Sequence, residues 1–134
     1  MLGQKLGTLT GTCTNSVEPA VGASPRFSTR AQGSGSLAGV DVQCMVSFSA
    51  QPNIDGSLYG ECPNSGLLMA ADGMATFRAT GAGRFTETGG SSFRGVAYFQ
   101  ASAPSLSDLN GKAFVFHWEV YADGSTVWDL WEWE

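Results

Sequence analysis

Residues 112–134 read KAFVFHWEVYADGSTVWDLWEWE, two runs rich in Phe, Val, Trp and Tyr on either side of Asp123-Gly124. Asp-Gly between alternating apolar runs is a strong hairpin signal, because a type I′ turn needs positive φ at both central residues. With Asp123 and Gly124 as the loop, Val120 faces Val127, Trp118 faces Asp129 and Phe116 faces Trp131. Strand side chains alternate between faces, so one face takes Phe114, Phe116, Trp118, Val120, Val127, Asp129, Trp131 and Trp133. The other takes Val115, His117, Glu119, Tyr121, Thr126, Trp128, Leu130 and Glu132. The first face reads as a core or a ligand cavity. Asp129 would then lie among tryptophans, where a carboxylate is costly unless paired or used.

The same reading extends outward. Val40, Val42, Cys44, Val46, Phe48 and Ala50 alternate with polar residues and predict a strand. Asp55-Gly56 as a two-residue loop sends Glu61 to the face of Val46, Phe48 and Tyr59. Further turns are expected at Asp72-Gly73 and Gly89-Gly90, with a strand over residues 3–14, a weaker one over 25–34, and a bend or bulge at Gly33 and Gly35. Residues 104–110 (PSLSDLN) are the one helical piece, a single turn closed by Gly111. The fold class expected is all-β: one domain, residues 1–134, forming an antiparallel up-and-down barrel of about eight strands. Barrel closure removes the edges that so apolar a sheet would otherwise expose.

Composition narrows the function. The chain has 134 residues, 43% hydrophobic and 14% charged, with a formal net charge of −5. Seven basic residues in an acidic chain leave no electrostatic footprint for nucleic acid. No apolar run approaches the roughly 18 residues of a membrane span, and MLGQKLGTLTG lacks the apolar core of a secretion signal; the expectation is a cytoplasmic protein. Cys13, Cys44 and Cys62 are odd in number and scattered, against a disulfide framework, and with one histidine they form no metal cluster of usual spacing. Cys44, on an apolar face, reads as a core residue. TGAGRF (80–85) lies between strands with no helix following and is no phosphate loop.

DGSLYGE (55–61), DGMATFRATGAGRFTETGGSSFRGVAYFQ (72–100), LSDLNG (106–111) and DGSTVWDLWEWE (123–134) resemble small bacterial and archaeal barrels of the allene oxide cyclase-like type, within the calycin-like architecture. The resemblance covers the C-terminal 80 residues or so. It implies a closed antiparallel barrel, often oligomeric, with an apolar cavity that binds or cyclises hydrophobic small molecules. It assigns no catalytic residue.

Two functions follow. In the first, the chain is a cofactor-independent isomerase or cyclase acting on a hydrophobic small molecule. Glu61 and Asp129, desolvated in the barrel, transfer protons, and Tyr59, Phe48, Phe116, Trp118, Trp131 and Trp133 shape the substrate. The alternative is a non-catalytic binding or carrier protein for a similar ligand. A barrel filled outright by its aromatic side chains would do neither. Either carboxylate could instead be structural, bonding indole N–H groups or Arg84 or Arg94. Across Gly89-Gly90 these two arginines fall on opposite faces, so one points inward. Arg94, Tyr98 and Gln100 share a face: turned inward it suits an oxygen-bearing ligand, turned outward it is a solvated wall. His117 beside Glu119 is an acid–base pair or a surface pair. Val115, Tyr121, Trp128 and Leu130 on the outer face of the last hairpin predict a homo-oligomer, dimer or trimer, with Trp128 near the interface.

Overall fold

Alternation of apolar and polar residues runs round the whole chain, and the structure follows it. The computed structural model describes residues 2–20 and 22–134. The strands are β1 (Leu2–Glu18), β2 (Arg26–Leu37), β3 (Val40–Pro52), β4 (Ser57–Ala70), β5 (Gly73–Phe85), β6 (Ser91–Ala101), β7 (Phe114–Val120) and β8 (Ser125–Trp133). Each pairs antiparallel with the next, and β8 pairs back onto β1 to close the barrel. No helix among the described residues is long and apolar enough to cross a membrane.

The expected helical turn is a 3₁₀ helix, Pro104–Leu109, between β6 and β7. Its Leu106 and Leu109 are buried in the core, so it plugs one end of the barrel. Asp72, a turn residue by sequence, accepts hydrogen bonds from the Ser105 N–H (2.8 Å) and hydroxyl (2.7 Å) and ties the β4–β5 turn to the start of this plug. The Asn110 side chain pairs with both backbone groups of Ala101 and secures its other end.

The opposite end carries the β1–β2, β3–β4, β5–β6 and β7–β8 connections. The three hairpins there have loops of three residues, not two. Tyr121 pairs with Ser125 around Ala122-Asp123-Gly124, Asn53 with Ser57 around Ile54-Asp55-Gly56, and Thr86 with Gly90 around Glu87-Thr88-Gly89. In each the last loop residue is a glycine at φ between 85° and 90°, the mark of a type I turn closed by a glycine bulge. Asp123 and Asp55 favour the longer loop because each Oδ1 accepts from the N–H and hydroxyl of the serine two residues on. Those bonds, the hydroxyl one first, hold both carboxyls below the ordinary aspartate range.

One added loop residue reverses every side chain of one strand. In β8, Val120 faces Thr126, Trp118 faces Trp128 and His117 faces Asp129. Trp128 and Leu130 therefore point into the core, while Asp129, Trp131 and Trp133 are on the outer wall. In β4, Glu61 pairs with Ser49 and is exposed, and its neighbours Gly60 and Cys62 are the buried ones. The expected inward placements of Asp129, Trp131, Trp133, Glu61 and Tyr59 are thus corrected by a single cause. At the β5–β6 hairpin Arg84 faces Ser92 and Ala82 faces Arg94, so both arginines point outward, against the expectation that one points in.

The true type I′ turn is where no Asp-Gly marks it. Leu37 pairs with Val40 around Ala38 (φ 52°) and Gly39 (φ 76°). A left-handed alanine costs about 1–2 kcal/mol, which asparagine tolerates better. Ala38→Asn is expected to stabilise the barrel by about 1 kcal/mol, a rise in Tm of about 4 °C. A lower Tm in a thermal melt would show that the turn is of another type.

Gly33 and Gly35 are no bulge: the β1–β2 ladder runs through them without a break. They permit close approach instead, since a Cβ on Gly35 would sit 2.1 Å from the Thr8 carbonyl oxygen. The inner wall of β1 and β2 is consequently low. Rings from β5 to β8, Phe77, Phe99, Phe114, Phe116 and Trp128, are buried in the core cluster and pack edge to face or tilted at 5.0–6.4 Å.

Candidate functional site

A bulge interrupts the middle of β4. Between Glu61 and Gly66 the strand carries two residues more than β3 does from Ser49 to Val46, and between Cys62 and Gly66 two more than β5 does from Ala79 to Phe77. Pro63 has no N–H to give to the ladder, and Asn64 takes the left-handed conformation at φ 59°. The Ser65 hydroxyl donates to the Ser47 carbonyl and ties the bulge to β3. Gly66 is needed because the Phe77 ring occupies the space a Cβ would take, 2.2 Å from it.

Behind this distorted wall the aromatic packing leaves a cavity of about 60 Å³. Phe48, Cys62, Ala79, Phe93, Phe116 and Trp118 are among the residues that line it. Glu61 borders it through its place in β4, but the carboxylate is on the outer wall. The lining holds no lysine, arginine or histidine. The buried Cys44 thiol is inert: burial, with Cys62 adding to it, pushes it up to about 12.

A second space of about 370 Å³ occupies the unplugged end of the barrel, within the range of small-molecule pockets. Val17, Phe27, Phe85 and Tyr121 give it an apolar rim, and Phe27 and Phe85 meet edge to face at 5.7 Å across it. Asn15 accepts a 2.6 Å hydrogen bond from buried Thr29 on its wall. Phe48 and Phe93 line both spaces, with ring centroids 6.3 Å apart. They stand between the mouth and the inner cavity.

Of the residues expected to line a ligand site, Phe48, Phe116 and Trp118 meet in the inner cavity. Tyr59, Trp131, Trp133, Arg94 and Tyr98 are on the outer wall. The Arg94, Tyr98 and Gln100 row is a solvated face. Phe93, Ala79, Cys62 and Trp128 complete the cavity. Phe93 and Ala97 alternate against Arg94 and Tyr98 in sequence, so a choice of inner face for β6 would have found Phe93.

Asp129 has a structural setting. Its carboxylate accepts from the Thr8 hydroxyl and forms an ion pair with Lys5 at 3.0 Å. Burial acts most strongly, pushing its pKa up, but Thr8 and Lys5 together outweigh it and leave the pKa below the ordinary value. The partner is therefore Lys5, not Arg84 or Arg94. His117, packed against Trp131 at 4.8 Å between Arg94 and Asp129 in the cross-strand row, is held below its usual pKa by burial first and Arg94 second. Glu119 turns to Ser92 (2.6 Å) and Arg94 (3.1 Å) rather than to His117.

The depressed Asp129 pKa has a defined pH signature. The stabilisation is present above the unfolded value of about 3.9 and is lost as pH falls through the lower folded value. Lys5 is half exposed, so solvent screening keeps the pair small. Asp129→Asn is expected to cost about 1 kcal/mol at pH 7, shrinking toward zero below about pH 4. Urea denaturation of both proteins at pH 7 and pH 3 measures this; a difference that does not change with pH would remove the ion pair from the account.

Trp128, expected near an oligomer interface, is 5% exposed and belongs to the core; the exposed aromatic residues among those described are Tyr59, Phe85, Tyr98, Tyr121 and Trp133.

No protein-family model matches the chain, and no curated protein matches it. Solved structures do. A conserved protein of unknown function from Rhodopseudomonas palustris superposes with a TM-score of 0.81 at 15% identity, over 98% of this chain and 97% of that one. A β-barrel-like protein from Acinetobacter baumannii AYE gives 0.75 at 13% identity, over 98% and 94%. A protein of unknown function from Clostridium acetobutylicum gives 0.77 at 12%, over 98% of each. At such identities the likeness shows the barrel fold alone. It lends no support to the narrower allene oxide cyclase-like assignment.

Proposed function

We propose that the barrel is a binding protein for a small hydrophobic molecule, which enters at the unplugged end and seats one end in the inner cavity past Phe48 and Phe93. The observation that carries this reading is the pair of adjoining spaces, an apolar-rimmed mouth of about 370 Å³ above an aromatic cavity of about 60 Å³. Pockets of this make-up favour apolar ligands held by burial, with few polar contacts. A carrier or sensor role is favoured over an isomerase or cyclase. With Glu61 and Asp129 on the outer wall, proton transfer on an enclosed substrate has no interior carboxylate to perform it.

Titration with 1-aminoanthracene, whose fluorescence rises in apolar surroundings, tests the reading. A saturable rise with a dissociation constant near the micromolar range, about −8 kcal/mol, is expected. Absence of saturable enhancement, with the protein folded, would contradict it.

A further inference from the structure

Among the described residues, one buried side-chain nitrogen or oxygen lacks a hydrogen-bond partner: the Trp118 indole Nε1. Trp118 forms part of the inner cavity wall and is met edge to face by Phe48 (5.7 Å) and Trp128 (6.4 Å). A buried donor left unsatisfied is a standing cost to the fold, and buried indole N–H groups usually find an acceptor. We infer that the Trp118 N–H is the polar anchor of the site and donates a hydrogen bond to an acceptor oxygen on the ligand. This rests on the binding reading above and narrows the ligand's chemistry.

The lining sets the class of that oxygen. With no lysine, arginine or histidine in the cavity wall, a carboxylate or phosphate would be desolvated without a counter-charge. A hydroxyl could accept from the indole, but its own proton would face aromatic rings and the weak acceptor Cys62 Sγ. A ketone, aldehyde, ester or ether oxygen accepts without donating and leaves nothing unpaired. The ligand is a neutral, mostly apolar molecule carrying such an oxygen at the end that enters the inner cavity.

Acetophenone and ethylbenzene, similar in shape and differing in the carbonyl, are the probes, with affinities measured by calorimetry on the full chain. In Trp118→Phe, which keeps an aromatic wall and removes the donor, acetophenone is expected to weaken about tenfold and ethylbenzene less than about twofold. Equal weakening of both would overturn the anchor. A second measurement needs no variant. In the ¹H–¹⁵N spectrum of the unmodified protein, the Trp118 indole peak, assigned through its contact with Phe48, should move downfield with acetophenone and hold still with ethylbenzene. An indole peak that ignores bound acetophenone would also overturn the anchor; a water held by Trp118 in the small space it shares with Thr126 would produce that result. If neither probe binds the unmodified protein, the binding reading itself fails, and the anchor with it.

Discussion

Ala79→Leu is expected to lower the affinity of the barrel for ethylbenzene about a hundredfold while leaving the protein folded and no less stable. Ala79 lines the inner cavity, on the strand face shared by buried Phe77 and Ala75. An isobutyl group there occupies the space the ligand needs. Ligand and side chain then compete for one volume, so ethylbenzene loses the burial that holds it, about 3 kcal/mol or a hundredfold in affinity. Stability should hold or rise, because the new side chain fills an existing void and meets Phe116 and Trp118 rather than displacing them. Calorimetric titration beside a thermal melt separates the outcomes. Unchanged binding in Ala79→Leu would place the ligand elsewhere. A collapse of stability would mean that the cavity is too small to accept even a side chain.

Phe114→Ala acts on the other half of the barrel and is expected to be the costliest single truncation. Phe114 is 1% exposed and packs edge to face on Phe99 at 5.4 Å, within the cluster that includes the plug residues Leu106 and Leu109. Removing a fully buried ring loses its transfer free energy and leaves a cavity that rigid neighbours cannot close, about 3–5 kcal/mol. Against a typical total of about 5–15 kcal/mol, that brings the barrel close to unfolding. Phe85→Ala, at the mouth, is the control. Phe85 is 57% exposed and its truncation should cost less than about 1 kcal/mol. Urea denaturation gives both numbers. Equal losses would contradict the division of the molecule into a packed, plugged end and an open one.

The strand order, the closure and the helical turn over residues 104–110 were legible in the sequence because each rests on local chemistry: alternation, turn residues, and a Pro-to-Gly bounded turn; that this turn plugs the barrel was not. The inner face of β7 was legible for the same reason, and Phe114, Phe116 and Trp118 point inward as the alternation requires. What failed was the step across a turn. Asp-Gly in Asp55-Gly56-Ser57 and Asp123-Gly124-Ser125 looks like a two-residue loop, but the serine that follows each pair gives the aspartate a partner that favours three. A shift of one residue exchanged Trp128 for Trp131 and put both candidate acids on the wrong wall. The serine after Asp-Gly was the available sign.

The cavity was not legible, and its causes are not local. It depends on the bulge of β4 between Cys62 and Gly66, whose two extra residues break the pairing with β3 and β5 alike, and Pro63 marks its place in the sequence but not how far it displaces the wall. It depends as well on how far rings from β6, β7 and β8 reach toward the glycine-lined side, which is fixed only when the sheet closes. Acidic residues, judged by their neighbours on one strand, gave a catalytic pair. Judged by partners across strands, Asp129 belongs to Lys5 and Thr8, and Glu61 to the solvent face.

An apolar ligand residing inside the barrel would be detected by intermolecular nuclear Overhauser effects. With ethylbenzene added in excess, cross-peaks are expected from the ligand to the Ala79 methyl and to ring protons of Phe48, Phe93 and Phe116. Cross-peaks confined to Tyr59, Tyr98 and Trp133 on the outer wall, or none at all, would contradict it.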